Sequence, residues 1–173
     1  MELDFSFIEL ERMVNRWNEK ANHCNGGDRL ENLFDEFMTR YIVLAAYSNV
    51  LKKSAKDKRD SFVCTKEVAE LLQSKRLFLC QQLKSEVESL CNTITQNRFD
   101  VKCSKKLSKS LKKGEDFIET LLRVLYAIRC NLFHGRKQCI AQHEYLLFPA
   151  IECLKTINRE AMEELNNRYI NQF

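Results

Sequence analysis

The chain has 173 residues, 45% of them apolar, which suits a single domain over 1–173 with one continuous core. Only four glycines and one proline are present, too few for the tight turns of sandwiches and barrels, so the composition predicts an all-α fold. The formal net charge of +4 does not by itself indicate a nucleic-acid-binding protein. No segment has the roughly 18 apolar residues of a membrane span or the order of a secretory signal, so we expect a cytoplasmic protein without membrane contact.

The first predicted element is a short amphipathic helix over 5–22, within an N-terminal segment 1–24 that should pack on a larger bundle. The sequence Asn25-Gly26-Gly27-Asp28 then ends this helix, because its two glycines tolerate a positive φ. Asp28 is a candidate N-cap, and Glu31 stands three residues later in capping-box position. A new helix is therefore predicted to begin here.

The second helix is predicted over 29–53, and its nearly uncharged middle indicates a central position in the domain. The charged stretch 52–60 is expected to be a solvated loop. A long helical pattern follows over 65–95, and it is compatible with one helix or two because Ser74 to Arg76 interrupt the apolar stripe.

The segment 98–113 is a local positive patch, with seven basic residues against the single acid Asp100. Its apolar periodicity is weak, so this basic connector is predicted as an exposed loop or a short helix. Its basic residues are Arg98, Lys102, Lys105, Lys106, Lys109, Lys112 and Lys113.

A strong apolar pattern over 117–132 predicts a further helix that stops at Gly135. The last helix is predicted over 142–170, where Pro149 is compatible only with a position near the first turn. The expected fold is an up-and-down bundle of four to five antiparallel helices. The sequence has no internal repeat, so a solenoid is not expected.

The eight cysteines fall at wide, irregular spacings, which favours reduced core residues over disulfides. His23 stands beside Cys24, and His143 stands four residues after Cys139, but no paired metal-ligand unit is present. We therefore expect neither a metal site nor a cofactor.

The third histidine, His134, lies close to Arg129 and Asn131 at the end of an otherwise apolar helical pattern. Such residues often have only a structural role, in which basic side chains cap the last carbonyl groups of a helix. The motif from Ile128 to Gly135, with an arginine, four intervening residues and a histidine, nevertheless closely resembles the signature of HEPN domains.

The resemblance to the HEPN family covers about 29–170, because an early aromatic helix and a final amphipathic helix also match. It implies a helical bundle that acts as a metal-independent endoribonuclease, with Arg129 and His134 catalytic and Asn131 supporting. It further implies a homodimer through the motif-bearing helix and a role as a toxin or defence effector, with an antitoxin or regulatory protein as a partner. Many relatives have a polar residue directly after the arginine, where this chain has Cys130.

RNA cleavage suits this pair chemically, because the 2′-hydroxyl of RNA supplies the nucleophile and no metal is needed. A histidine titrates near working pH, and an arginine matches two phosphate oxygens while staying charged. On an unbroken helix Arg129 and His134 would point about 140° apart. Either the helix ends near 131–133 and the chain turns the imidazole back, or two subunits bring their motifs together.

RNA is the expected partner, and phosphate contacts are assigned to basic residues on both sides of the motif helix. Two alternatives stay open: a non-catalytic HEPN-type module that binds nucleotides or RNA or acts as a scaffold, and a purely structural bundle. The residues predicted to contact RNA are Arg136, Lys137, Lys105, Lys106, Lys109, Lys112 and Lys113.

Overall fold

The computed structural model of the chain describes residues 2–51, 60–96, 104–113, 116–133 and 143–170. Within these ranges the chain forms eight α-helices, one short 3-10 helix and no strand, so the predicted all-α class is confirmed. The helices are α1 (Glu2–Asn22), α2 (Arg29–Leu51), α3 (Asp60–Leu71), α4 (Arg76–Gln82), α5 (Lys84–Gln96), α6 (Ser104–Lys113), α7 (Phe117–Phe133) and α8 (Glu144–Ile170), and the 3-10 helix is Gln73–Lys75. None of these described helices combines the length and the apolar character needed to span a bilayer.

The predicted turn between α1 and α2 is confirmed in detail. The amide of Glu31 donates to Asp28 Oδ1 over 2.9 Å, and the amide of Asp28 donates to Glu31 Oε2 over 3.3 Å, which is the expected capping box. Neither glycine uses the left-handed backbone conformation that glycine tolerates. Gly27 is needed for space, because a Cβ there would lie 3.0 Å from the Cβ of Glu31.

Helices α2 and α8 form the centre of the bundle. Helix α2 packs on α1, α3 and α8, while α8 also packs on α5, and the central position predicted for α2 is confirmed. The Tyr47 hydroxyl donates to the carbonyl of Asn158 over 3.0 Å, and the Asn158 side-chain amide donates to the carbonyl of Arg40 over 3.0 Å. All three residues are buried, so these bonds fix how α2 and α8 are aligned.

The long pattern predicted over 65–95 is divided into α3, the 3-10 helix, α4 and α5. Side chains of α8 stabilise the first break. Arg168 Nη2 donates to the carbonyl of Leu71 over 3.3 Å, and Lys75 Nζ lies 3.2 Å from Glu160 and 3.0 Å from Glu163. The break falls where the apolar stripe is interrupted, but its partners are distant in sequence. Residues 52–59 of the predicted loop lie outside the described residues, and Asp60 already belongs to α3.

Pro149 lies inside α8, in its second turn. A proline has no amide hydrogen, so the carbonyl of Tyr145 has no donor four residues along the helix. The hydroxyl of Thr93 on α5 lies 3.4 Å from this carbonyl and donates to it. The neighbouring helix thus supplies the hydrogen bond that makes an interior proline tolerable.

Five cysteines of the described side chains are free thiols. Cys153 is buried, while Cys24, Cys80, Cys91 and Cys130 are only partly buried, so the description as core residues fits Cys153 best. Burial raises the pKa of Cys80, Cys91 and Cys153, which keeps these thiols protonated and unreactive.

Removal of the Tyr47 hydroxyl tests the alignment of α2 and α8. We expect Tyr47→Phe to lower the free energy of unfolding by about 1 kcal/mol, because a buried hydrogen bond is lost without a change of shape. Tyr145→Phe is the matched control, since Tyr145 is 70% exposed. Urea denaturation measures both variants, and equal losses would contradict the assigned role of Tyr47.

The same variant has a pH signature. Burial raises the pKa of Tyr47 above its ordinary value of 10.0, so the unfolded chain ionises first. This contribution to stability is present below about pH 10 and is lost above it by up to about 1.4 kcal/mol per pH unit. Tyr47→Phe should lack this loss, whereas a similar loss from the raised pKa of Cys153 remains in both proteins.

Candidate functional site

Helix α7 carries the described part of the predicted catalytic motif. From Phe117 to Ile128 nearly all of its side chains are buried or half-buried, and in this stretch only Arg123 is exposed. The helix packs on α3, α4 and α6, which leaves it little freedom to move. Arg129 and Asn131 follow in the last turns, and both are partly buried and in contact with other groups. The motif arginine is therefore held at the end of a rigid, buried helix.

The structure describes only part of the motif, because His134 lies outside the described residues, as do Arg136 and Lys137. Helix α7 continues without a break through Phe133. Any turn that brings the imidazole back toward Arg129 must therefore begin after Phe133. The alternative, in which two subunits share the site, stays open.

The basic connector contains a helix over its described part. Residues 104–113 form α6, while 97–103 lie outside the described residues. Leu107 is fully buried and Ser110 is 6% exposed, so these residues anchor the helix on the bundle. Of the two alternatives left open by the sequence, this part adopts the helical one.

The lysines of α6 all lie on its exposed side. Ordinary helical geometry places these side chains within an arc of about 120°, opposite the buried leucine. We call this surface the lysine face, and it consists of Lys105, Lys106, Lys109, Lys112 and Lys113. Helix α6 contains no acidic residue.

Only one lysine of this face has an ion pair within the described part of the chain. Lys106 Nζ lies 4.0 Å from Asp116, and both side chains are more than half exposed, so the pair contributes little to stability. Because the other four lysines have no described acidic partner, the face is a net positive surface. Helix α6 also packs on α7, the helix that carries Arg129.

The remaining histidines do not form a described metal centre. His23 Nδ1 lies 2.7 Å from the carbonyl of Glu19, and the Cys24 thiol donates to the carbonyl of Lys20 over 3.4 Å. Burial raises the pKa of Cys24, which disfavours the thiolate that a metal would need. His143 is 2% exposed at the start of α8. Among the described residues no three potential ligands are placed to hold a metal ion.

One basic surface was not predicted from the sequence. Arg12, Arg16 and Lys20 recur every four residues on α1 and lie beside Trp17. The spacing of these three residues could have indicated a basic stripe on the helix. The sequence pattern predicted only an amphipathic helix, with Trp17 as one of its packing residues. Arg12, Arg16 and Lys20 are in fact exposed, whereas Trp17 is half-buried.

No protein-family model, curated protein or solved structure matches the chain. A functional assignment therefore depends on the chemistry and the placement of its own residues. The strongest features are Arg129 at the end of α7 and the lysine face on the adjacent helix.

Truncation of Leu107 tests how the lysine face is held. We expect Leu107→Ala to lower the free energy of unfolding by about 2–5 kcal/mol, because it leaves a cavity beneath α6. Leu77→Ala on α4 is the control, since Leu77 is 66% exposed and its loss should change stability by less than about 0.5 kcal/mol. Thermal and urea denaturation measure both, and equal effects would show that Leu107 is not the anchor.

Proposed function

We propose that the chain is a metal-independent endoribonuclease of the HEPN type, with Arg129 and His134 as catalytic residues. The observation that carries this proposal is the one-sided lysine face on α6, because the opposite, buried side anchors this helix on the bundle, where α6 packs on α7, the helix that holds Arg129. A positively charged surface on a helix that packs on the Arg129-bearing helix is suited to a polyanionic substrate.

The proposed reaction is an internal transesterification. His134 removes the proton from the 2′-hydroxyl, and the resulting oxygen attacks the adjacent phosphorus. The bond to the 5′-oxygen breaks, and this oxygen takes a proton from a second imidazole or from water. Arg129 stabilises the charge on the non-bridging oxygens, and Asn131 supports the end of the helix. The products carry a 2′,3′-cyclic phosphate and a 5′-hydroxyl.

The lysine face would hold RNA by its phosphates without reading its sequence. Exposed lysines are flexible point charges, and each one that contacts a phosphate releases a condensed counterion. Four of the five have no described acidic neighbour that would compete with RNA. Arg136 and Lys137 would extend these contacts beyond His134.

Little of the surface of α7 is exposed for the contact between two subunits of the proposed homodimer. Between Phe117 and Ile128 only Arg123 is exposed, and the described side chains of 129–132 are half-buried, so a contact that joins the two motifs would use these half-buried residues and the residues that follow. Such a contact would place the two motifs side by side, as a composite site needs. A role as a toxin or defence effector also belongs to the proposal, and an antitoxin or regulatory protein that covers the lysine face would be acidic.

Cleavage of RNA without metal tests the catalytic proposal. We expect the protein to cut single-stranded RNA in EDTA, leaving cyclic phosphate ends. Arg129→Ala and His134→Ala should each reduce the rate by at least about 100-fold, because one removes the phosphate cation and the other the general base. Gel analysis of end-labelled RNA measures the rate and identifies the ends.

Two controls use the same residue types. Arg123→Ala removes an exposed arginine of α7 whose described partner is Glu119 one turn earlier, and His23→Ala removes an exposed histidine of the α1–α2 turn. Both should keep wild-type activity. If Arg129→Ala and His134→Ala cut RNA as fast as these controls, the proposed mechanism is wrong.

RNA binding by the lysine face is tested separately through its salt dependence. We expect Lys105→Gln with Lys109→Gln to weaken binding and to reduce the slope of log K against log salt by about 1.4, since each phosphate contact contributes about 0.7 for a single strand. Fluorescence anisotropy with His134→Ala as the background measures binding without cleavage.

The matched control replaces two exposed cations of other helices, Arg29 on α2 and Lys66 on α3, by glutamine. This control should leave the slope nearly unchanged. An equal change in both double variants would mean that overall charge, and not the lysine face, governs binding. Binding that depends on this face, in a wild-type protein that never cleaves RNA, would instead favour the non-catalytic RNA-binding module.

A further inference from the structure

The exposed side of α1 carries a second basic surface, separate from the lysine face. Arg12, Arg16 and Lys20 follow one another at intervals of four residues, which places them along one stripe of the helix. Met13 and Trp17 lie beside them on the same side. Helix α1 packs mainly on α2, whereas α6 packs on α5 and α7, so the two surfaces belong to different parts of the bundle.

These residues line a depression with a volume of about 570 Å³, and Glu9 completes its described lining. This volume is within the range of about 300–1,000 Å³ that is usual for small-molecule sites. We call the depression the α1 site. Its lining combines three cations, one acid, one aromatic ring and one thioether, which is a composition suited to an aromatic anion.

The cations of the α1 site are not neutralised by any residue that the structure describes. Arg12, Arg16 and Lys20 form no ion pair with any residue that the structure describes, and Glu9 is the only acid among the lining residues. All three cations are exposed. An entering anion would therefore not have to displace an acidic side chain from them.

One side of the Trp17 ring is covered by the side chain of an exposed lysine. Lys20 Nζ lies 4.8 Å from the ring centroid, so a polar cation already occupies that side. Trp17 is half-buried and its remaining surface packs against the core, which holds the ring in place. A fixed indole becomes a stacking platform for a nucleobase when the flexible lysine above it moves aside.

We propose that the α1 site binds a nucleoside monophosphate unit, with its base stacked on Trp17 and its phosphate held by Arg12 and Arg16. An arginine pairs two phosphate oxygens at once, and two arginines one helical turn apart can share a single phosphate. Lys20 leaves the ring when the base enters and adds a third positive charge. The unit is either a free nucleotide or one nucleotide of a single-stranded RNA.

The test uses the fact that Trp17 is the only tryptophan of the chain. Its fluorescence should fall in a saturable way as AMP is added, because a stacked base quenches the indole. Adenosine should bind at least about tenfold more weakly, since it lacks the phosphate that the arginines contact. Short single-stranded RNA is titrated in parallel into the His134→Ala variant, so that it is not cut.

The Arg12→Gln/Arg16→Gln double variant keeps the fluorescent reporter and removes the phosphate contacts. It should lose AMP affinity by at least about tenfold, while Arg76→Gln/Arg123→Gln, which changes two arginines of α4 and α7, should bind AMP as the wild type does. Thermal denaturation of both variants verifies folding.

Binding of AMP assigns the site to free nucleotides, and binding of RNA alone assigns it to a nucleotide within a strand, so both support the proposal. Adenosine binding equal to that of AMP would overturn it. So would unchanged affinity in the Arg12 and Arg16 variant, or no saturable quenching by AMP or RNA. The measurement depends on neither Arg129 nor RNA cleavage. A failure of the nuclease proposal can therefore be distinguished from a failure of the proposed nucleotide binding.

Discussion

The alignment of α2 with α8 depends on two buried hydrogen bonds that join residues far apart in the sequence. Tyr47 donates to the carbonyl of Asn158 and Asn158 donates to that of Arg40, across separations of 111 and 118 residues. Burial of apolar surface supplies most of the free energy of folding, but it is not directional and would tolerate a shifted packing. A shift along either helix would leave these buried polar groups without partners, which costs about 1–3 kcal/mol for each group. The polar contacts therefore select one alignment of the apolar core.

Arg40 extends this arrangement to α1. It is 5% exposed, and its guanidinium contacts Glu36 on its own helix and Asn22 at the end of α1. Lys155 of α8 lies 3.3 Å from the same Glu36, so one carboxylate connects α2 and α8 a second time. A buried arginine without these partners would be strongly unfavourable, which ties the position of α1 to that of the central pair. The helix that carries the α1 site is therefore held at its C-terminal end by a hydrogen bond from Arg40.

Local signals in the sequence predicted the start of α2, the positions of α1 and α7 and the end of α8. Apolar periodicity and capping residues depend only on neighbours within a few helical turns, so they can be read from the sequence. They indicated where a break at 72–75 could fall but left open whether it forms, since its partners Arg168, Glu160 and Glu163 belong to α8. The hydrogen bond that makes Pro149 tolerable could not be predicted for a similar reason, because its donor is Thr93 of another helix. The helix α6 was ambiguous because it buries few residues, with Leu107 as its main anchor.

The candidate site shows the same division between local and tertiary information. The motif Arg129 to His134 is a local pattern, and its arginine lies where the sequence placed it, at the end of a buried helix. The lysines themselves could also be read from the sequence. They form one common surface only because 104–113 is a helix that is anchored on its opposite side. The relative position of Arg129 and His134 does not follow from a local pattern. On a continuous helix the two side chains would point about 140° apart. The proposed catalysis therefore requires a turn after Phe133 or a second subunit, and the burial of α7 between Phe117 and Ile128, where only Arg123 is exposed, limits where that subunit could contact it.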